Sequence, residues 1–312
     1  MRARALATRG PFLALLVACV VFSLQSPRFL ASENFALILQ QVMVVGVLAI
    51  GQTVVILTAG IDLSCGLVMA LGTVVMSRLA TTAGWSPLAA ITAGMAVTTS
   101  VGVINGLLVT RVKLPPFIVT LGMMNVAFAV TQLLSNGQSI TELPEPLTWL
   151  GHTVRVAGTP IAYGALLMLL LYFVVWRVLR DTAAGRHIYA VGNSREAARL
   201  AGIRTDRVLV GVYAAAGAFA GLAALLSVAR TGAGDPQAGQ SENLDTVTAV
   251  VLGGTSLFGG RGLVLGTLVG ALIVGVFRNG LTLMGVPSVY QMLVTGVLVI
   301  AAVALDQWAR EP

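Results

Sequence analysis

The chain has 312 residues, 57% of them hydrophobic and only 10% charged, with a formal net charge of +7 and a mean hydropathy of +0.91. A soluble domain carries about 25% charged residues, so this composition excludes a water-exposed globular surface and predicts a polytopic membrane protein. Nucleic acid is excluded as the reason for the charge: the basic residues sit in loops beside apolar runs, and all but Lys113 are arginine.

Arg2, Arg4 and Arg9 precede an apolar run from Phe12 to Phe22. The arrangement resembles a signal peptide, but no small-x-small cleavage site follows closely and Pro27-Arg28 does, so the run reads as a retained first span. Segments of about 20 residues cross a hydrocarbon layer about 30 Å thick. On that basis spans are predicted at 11–27, 35–57, 63–80, 87–110, 115–135, 160–179, 208–229, 244–258, 263–279 and 287–305. The eighth is short and ends in Gly253-Gly254-Thr255-Ser256, so it either crosses or is broken and re-entrant; irregular backbone at such depth needs protein or a water-filled cavity around it. The expected fold is all-α, a polytopic transmembrane helix bundle of about ten spans forming one domain over 1–312. With the N-terminus cytoplasmic, 14 basic residues including Arg310 fall inside and 5 outside; a re-entrant eighth segment makes this 13 and 6. The outer loops, 136–159 with Glu142 and Glu145 and 230–243, carry acidic residues that either suit a docking partner or simply solvate the loops.

The longest polar stretch is 180–207, RDTAAGRHIYAVGNSREAARLAGIRTDR, with six arginines, placed on the basic side between two spans. Asn193 followed by Glu196 resembles a capping box, Ala197, Ala198 and Leu200 favour a helix, and Gly202 suits its left-handed close. A helix of about two turns, roughly 12 Å, is expected, with Arg195 and Arg199 on one face. Such a helix is either a docking element or part of a solvated loop.

Gly262, Gly266 and Gly270, with the pairs Gly102/Gly106 and Gly217/Gly221, have the spacing that lets membrane helices approach closely. Asp62 and Asp245 lie near span ends and read as helix caps, and no acidic residue lies mid-span, which argues against an ion-coupled carrier. Among the amides inside spans, Gln52, Asn105, Asn125 and Gln291 either bond neighbouring helices or line a route for a hydroxyl-rich neutral solute. Cys19 and Cys65 define no disulfide framework. No P-loop, HExxH or CxxC occurs, so no catalytic residue, metal site or nucleotide-hydrolysing centre is expected on the chain. GIDLSCGLVMALGT at 60–73 and GTSLFGGRGLVLGT at 254–267 match at six positions, as an internal repeat or as a consequence of glycine-rich composition.

The blocks TAGIDLSCGLVMALG (58–72), NGLLVTRVKLPPFIVTLGMM (105–124), GRHIYAVGNSREAARLAGI (185–203), LDTVTAVVLGGTSLFGGRG (244–262), LVGALIVGVFRNGLTLMGV (268–286) and YQMLVTGVLVIAAVALD (290–306) occur in this order. Together they resemble the membrane-spanning permease of bacterial ABC sugar importers of the ribose, xylose and galactoside class, over residues 35–306. The resemblance implies a bacterial inner-membrane subunit that is not an enzyme, paired with a second permease copy or paralogue. It also implies a cytoplasmic ATP-binding subunit, which would hold the ATP and Mg, and a periplasmic substrate-binding protein. The family's coupling helix maps onto Asn193 to Ile203, with Asn193, Arg195, Glu196, Ala197, Ala198, Arg199, Gly202 and Ile203 at the ATPase contact. The expected solute is a neutral pentose or hexose; an amino acid or a furanone-like signal is the alternative within importers, and a gradient-driven carrier the alternative outside them.

Overall fold

A computed structural model describes residues 2–308; Arg310 lies outside them. The helices are α1 (Arg2–Gln25), α2 (Ser32–Leu57), α3 (Cys65–Thr81), α4 (Pro87–Thr110), α5 (Pro116–Ser135), α6 (Glu145–Thr148), α7 (Tyr163–Asp181), α8 (Ala183–Asn193), α9 (Arg195–Leu200), α10 (Thr205–Thr231), α11 (Glu242–Leu252), α12 (Val264–Leu283) and α13 (Ser288–Trp308). The only sheet among the described residues is an antiparallel hairpin, β1 (Thr153–Val156) with β2 (Thr159–Ala162). Local sequence sets several boundaries. Pro87 and Pro116 open α4 and α5, where a missing N–H removes no helical bond. Asn136 and Gly232 close α5 and α10 in the left-handed region.

Six helices, α2, α4, α5, α7, α10 and α12, are long and apolar enough to cross a membrane, and α3 and Gly10–Gln25 are shorter apolar helices. The protein is a multi-pass helical bundle. Its centre is α2, buried on every side from Val42 to Leu57, as expected of a helix that is apolar all round. Tyr172 on α7 donates to the Gly46 carbonyl at 2.9 Å. The glycine pairs of α4 and α10 face each other. A Cβ on Gly102 would overlap the Tyr213 carbonyl, and one on Gly217 the Thr98 carbonyl; Gly106 and Gly221 lie against Val210 and Met95. This is the close backbone approach that small residues permit where lipid supplies no hydrophobic drive.

The eighth predicted span is a half-length helix. α11 has 11 residues, about 16 Å, too short to cross. The chain before it supplies the missing depth. Gly234 pairs with Ile140 and lies against Ser77, the Asp235 carbonyl accepts from Thr73, and Gly239 lies against Gly66. The segment thus descends alongside α3, antiparallel to it, and brings the start of α11 to the start of α3. There Asn243 Oδ1 accepts from the Gly66 amide at 2.6 Å and from Cys65 Sγ at 3.3 Å, satisfying helix-start donors that lipid could not.

Gly270 seats α12 on Ala249 of α11 and Gly266 on Gly253 just past its end, whereas Gly262 precedes α12 and packs on Thr255. The six matched positions of the two glycine-rich segments are not equivalent: Gly66 is helical while Gly260 is left-handed, with φ +68°.

Candidate functional site

The arginine-rich stretch is not a loop with one helix but two helices meeting at a sharp break. Thr182 caps α8 by accepting from the Gly185 amide. α8 ends at Asn193, and Ser194, extended at φ −161°, turns the chain into α9. The cap of α9 is therefore Ser194, whose Oγ accepts from the Ala197 amide at 3.2 Å, and not Asn193 as the sequence suggested. Glu196 lies in the first turn, where the helix dipole favours a carboxylate. At the other end, Gly202 sits at φ +86°. Its amide donates to the Arg199 carbonyl and that of Ile203 to the Ala198 carbonyl, both at 3.0 Å, the paired bonds of a Schellman close.

Ala198 is buried against Val191 of α8 and Leu209 of α10. Ala198 points in, while Ala197 and Ala201 are exposed and Leu200 is 84% exposed. Glu196, Ala197, Arg199 and Leu200 together present an uncovered surface. Arg195 pairs with Asp206 at 2.9 Å, tying α9 to the start of α10.

Behind this surface, α8 is seated on the bundle. A Cβ on Gly192 would overlap the Leu57 carbonyl, which accepts from the Gly260 amide at 2.9 Å. Gly260 rests on Asn193, and Tyr189 donates to the Gly262 carbonyl at 2.9 Å; burial pushes its phenol up from the ordinary value. The loop between α11 and α12 is thus held between α8 and the end of α2.

The four candidate pathway amides do not converge. Gln52 is 1% exposed, and neither of its amide atoms has a hydrogen-bond partner. Asn105 donates to Ser64 Oγ at 3.2 Å while its Oδ1 has no partner. It borders a small space beside Asp62; Asp62 accepts from the Ser64 amide and hydroxyl, in a turn just ahead of α3. Asn125 is exposed and bonds back to the Leu121 carbonyl. Gln291 bonds Thr282 and the Val286 carbonyl and lines a cavity of about 230 Å³ between α2, α10, α11, α12 and α13.

That cavity holds residues the sequence reading did not assign. Asp245 is not a cap: its side chain is 7% exposed and pairs with Arg278 at 2.9 Å. Arg230 and Glu242 also line the space. The available signal was an arginine and an aspartate each set inside an apolar segment, which in lipid calls for a partner.

No solved structure matches the chain. The family model described as branched-chain amino acid transport system / permease component matches residues 34–303. A fructose import permease protein of Rhizobium meliloti is 43% identical over 307 residues, covering 96% of this chain and 85% of its own length. A ribose import permease protein of Bacillus subtilis (strain 168) is 41% identical, with 96% and 92% covered. A D-allose transport system permease protein of Escherichia coli (strain K12) is 36% identical, with 96% and 91% covered. With a family match over residues 34–303 and relatives aligned along nearly the whole chain, the protein belongs to this family of transport-system permease components.

Proposed function

We propose that the chain forms the membrane pathway of an ATP-driven importer for a neutral monosaccharide, in the inner membrane of a bacterium, with the arginine-rich end and the N-terminus cytoplasmic. The observation that carries the reading is α9: a short helix, capped by Ser194 and closed by Gly202, packed through Ala198 on Val191 and Leu209, next to an α8 that Gly192 seats on the bundle, and presenting Glu196, Ala197, Arg199 and Leu200 uncovered. A helix so held transmits a push from a partner rather than yielding to it. In this reading a separate cytoplasmic subunit holds and hydrolyses ATP with Mg, docking on Arg195 to Ile203. A periplasmic binding protein delivers the sugar at the opposite end. A second permease copy or paralogue completes the pathway, and closure of the ATPase pair shifts the permease between inward- and outward-facing states. Sugar enters the reading from the names of the fructose, ribose and allose relatives.

The test is a pull-down from gently solubilised native membranes, using the intact chain and a Gly202→Pro, Glu196→Arg variant. Co-purification of an ATPase with the intact chain and its loss from the variant is the expected result. No retained ATPase after mild cross-linking removes the mechanism and turns attention to a gradient-driven carrier. Uptake of labelled ribose, fructose and leucine separates a sugar permease from an amino-acid one.

A further inference from the structure

The cavity between α2, α10, α11, α12 and α13 lies at the end opposite α9, and Gln41, Arg230, Glu242, Asp245, Arg278 and Gln291 line it. Its formal charges cancel, two guanidiniums against two carboxylates. One pair is closed on itself: Arg278 holds Asp245 at 2.9 Å and reaches Ser241 Oγ at 3.4 Å. The other groups are open. Arg230 is half-buried and makes no hydrogen bond or ion pair among the described residues. Glu242 engages the neighbouring Ser241 hydroxyl through Oε2 only. Gln41 Oε1 is buried and has no partner.

Gln41 Oε1, a buried acceptor without a donor, and the Arg230 guanidinium, which Glu242 attracts without a direct hydrogen bond, line the same space, and leaving them unbridged is unfavourable. The bridging species must donate and accept and carry no net charge. The volume is below the roughly 300–1,000 Å³ of sites for drug-sized ligands, which suits a molecule with about a dozen heavy atoms. Guanidinium, carboxylate and amide groups engage two neighbouring oxygens at once, which matches vicinal hydroxyls. A zwitterion would also find a separated cation and anion in Arg230 and Glu242, so leucine is the competing solute in the test, and vicinal hydroxyls are favoured by the sugar-import reading.

We infer that this cavity is where the permease itself contacts its solute, a neutral polyol of monosaccharide size. Arg230 donates to a hydroxyl, Gln41 and Glu242 accept, and the Asp245–Arg278 pair forms a fixed wall. This rests on the sugar-import reading. Few open groups, spread around the space, suit a site that a solute must leave as readily as it enters.

The experiment reconstitutes the complete complex, permease with its ATPase and binding protein, in liposomes and measures imported label per ATP hydrolysed for D-ribose, D-fructose and L-leucine. The variants are Arg230→Met and Gln41→Met, with Arg230→Lys, which keeps the charge, as a further substitution should Arg230→Met not assemble. Sugar imported per ATP is expected to fall about tenfold in Arg230→Met, the order set by losing one hydrogen bond to a charged group. A smaller fall is expected in Gln41→Met, with assembled complex recovered at wild-type yield. An unchanged ratio in both positions overturns the inference, as does a loss of import that merely tracks a loss of assembled complex. Leucine import that falls in place of sugar import overturns the polyol assignment. A wild-type complex that moves neither sugar defeats the sugar-import reading itself, before any variant is compared.

Discussion

Two glycines flank the exposed helix α9, and they are there for different reasons that substitution can separate. Gly202 sits at φ +86° with nothing within 4 Å of where a Cβ would stand. Alanine there meets no neighbour, so its whole effect is conformational: about 1–2 kcal/mol for an L-residue in the left-handed region. That is a factor of about 5–30 in the equilibrium between closed and frayed α9. Partner affinity falls with the fraction of competent helix, so Gly202→Ala is expected to weaken ATPase binding by up to about thirtyfold. Gly202→Asn should lie between, since asparagine tolerates this region better. Gly192 is constrained by space instead: a Cβ would overlap the Leu57 carbonyl and crowd the Gly260 amide. Gly192→Ala therefore moves backbone, and Gly192→Asn should be worse, not better. The assay is titration of purified ATPase onto the permease in nanodiscs. Wild-type affinity for Gly202→Ala, or asparagine worse than alanine at 202, would refute the conformational argument; a mild Gly192→Asn would refute the steric one.

Ser194→Ala removes the cap of α9 and should destabilise that helix by about 0.5–2 kcal/mol, seen as faster hydrogen exchange at the Ala197 amide. Arg278→Met strands the buried Asp245 carboxylate and should destabilise the fold by about 1–2 kcal/mol, less than for a fully buried pair because Arg278 is itself half-exposed, with most of it recovered in Asp245→Asn, Arg278→Met, because the penalty belongs to the orphaned charge; thermal unfolding in detergent reads both. Gly217→Val drives a side chain into the Thr98 carbonyl and should cost about 1–3 kcal/mol in the same assay through overpacking. Gly260→Ala strains a residue at φ +68° against the backbone of Asn193 without touching the exposed face of α9. ATPase should still co-purify with it while sugar imported per ATP falls, and wild-type coupling would show that the Gly260 contact transmits nothing.

Most of the bundle could be read from composition, because runs such as 35–57 and 208–229 are apolar over the full length a membrane demands. The glycine pairs of α4 and α10 were readable for the same reason: spacing of four on a helix is a statement about one face. Local signals failed where the outcome depended on distant chain. Asn193 and Ser194 are both good caps, and only the packing of Gly192 on Leu57 decides that α8 runs through Asn193 and leaves the cap to Ser194. α11 ends early because 233–241 reaches into the bundle beside α3, a path set by contacts with Ile140, Ser77 and Gly66 that no window along the sequence contains. Asp245 looked like a cap because its partner, Arg278, is 33 residues away.

The half-length α11 connects the two regions that carry the functional argument. Its C-terminal loop is held by Leu57 and Asn193, immediately behind α9. Its first turn carries Glu242 and Asp245, which face the cavity. A helix of 11 residues packed closely on α12 through Gly266 and Gly270 and ion-paired to it through Asp245 and Arg278 moves with α12 as one unit. Breaking the segment places one end of this element behind α9, the proposed docking helix, and the other at the cavity proposed for the solute. In the proposed mechanism a displacement at α9 reaches Asp245 and Glu242 through a single element, and the charge pair with Arg278 ties α11 to α12, so that the wall of the cavity moves with them as one piece.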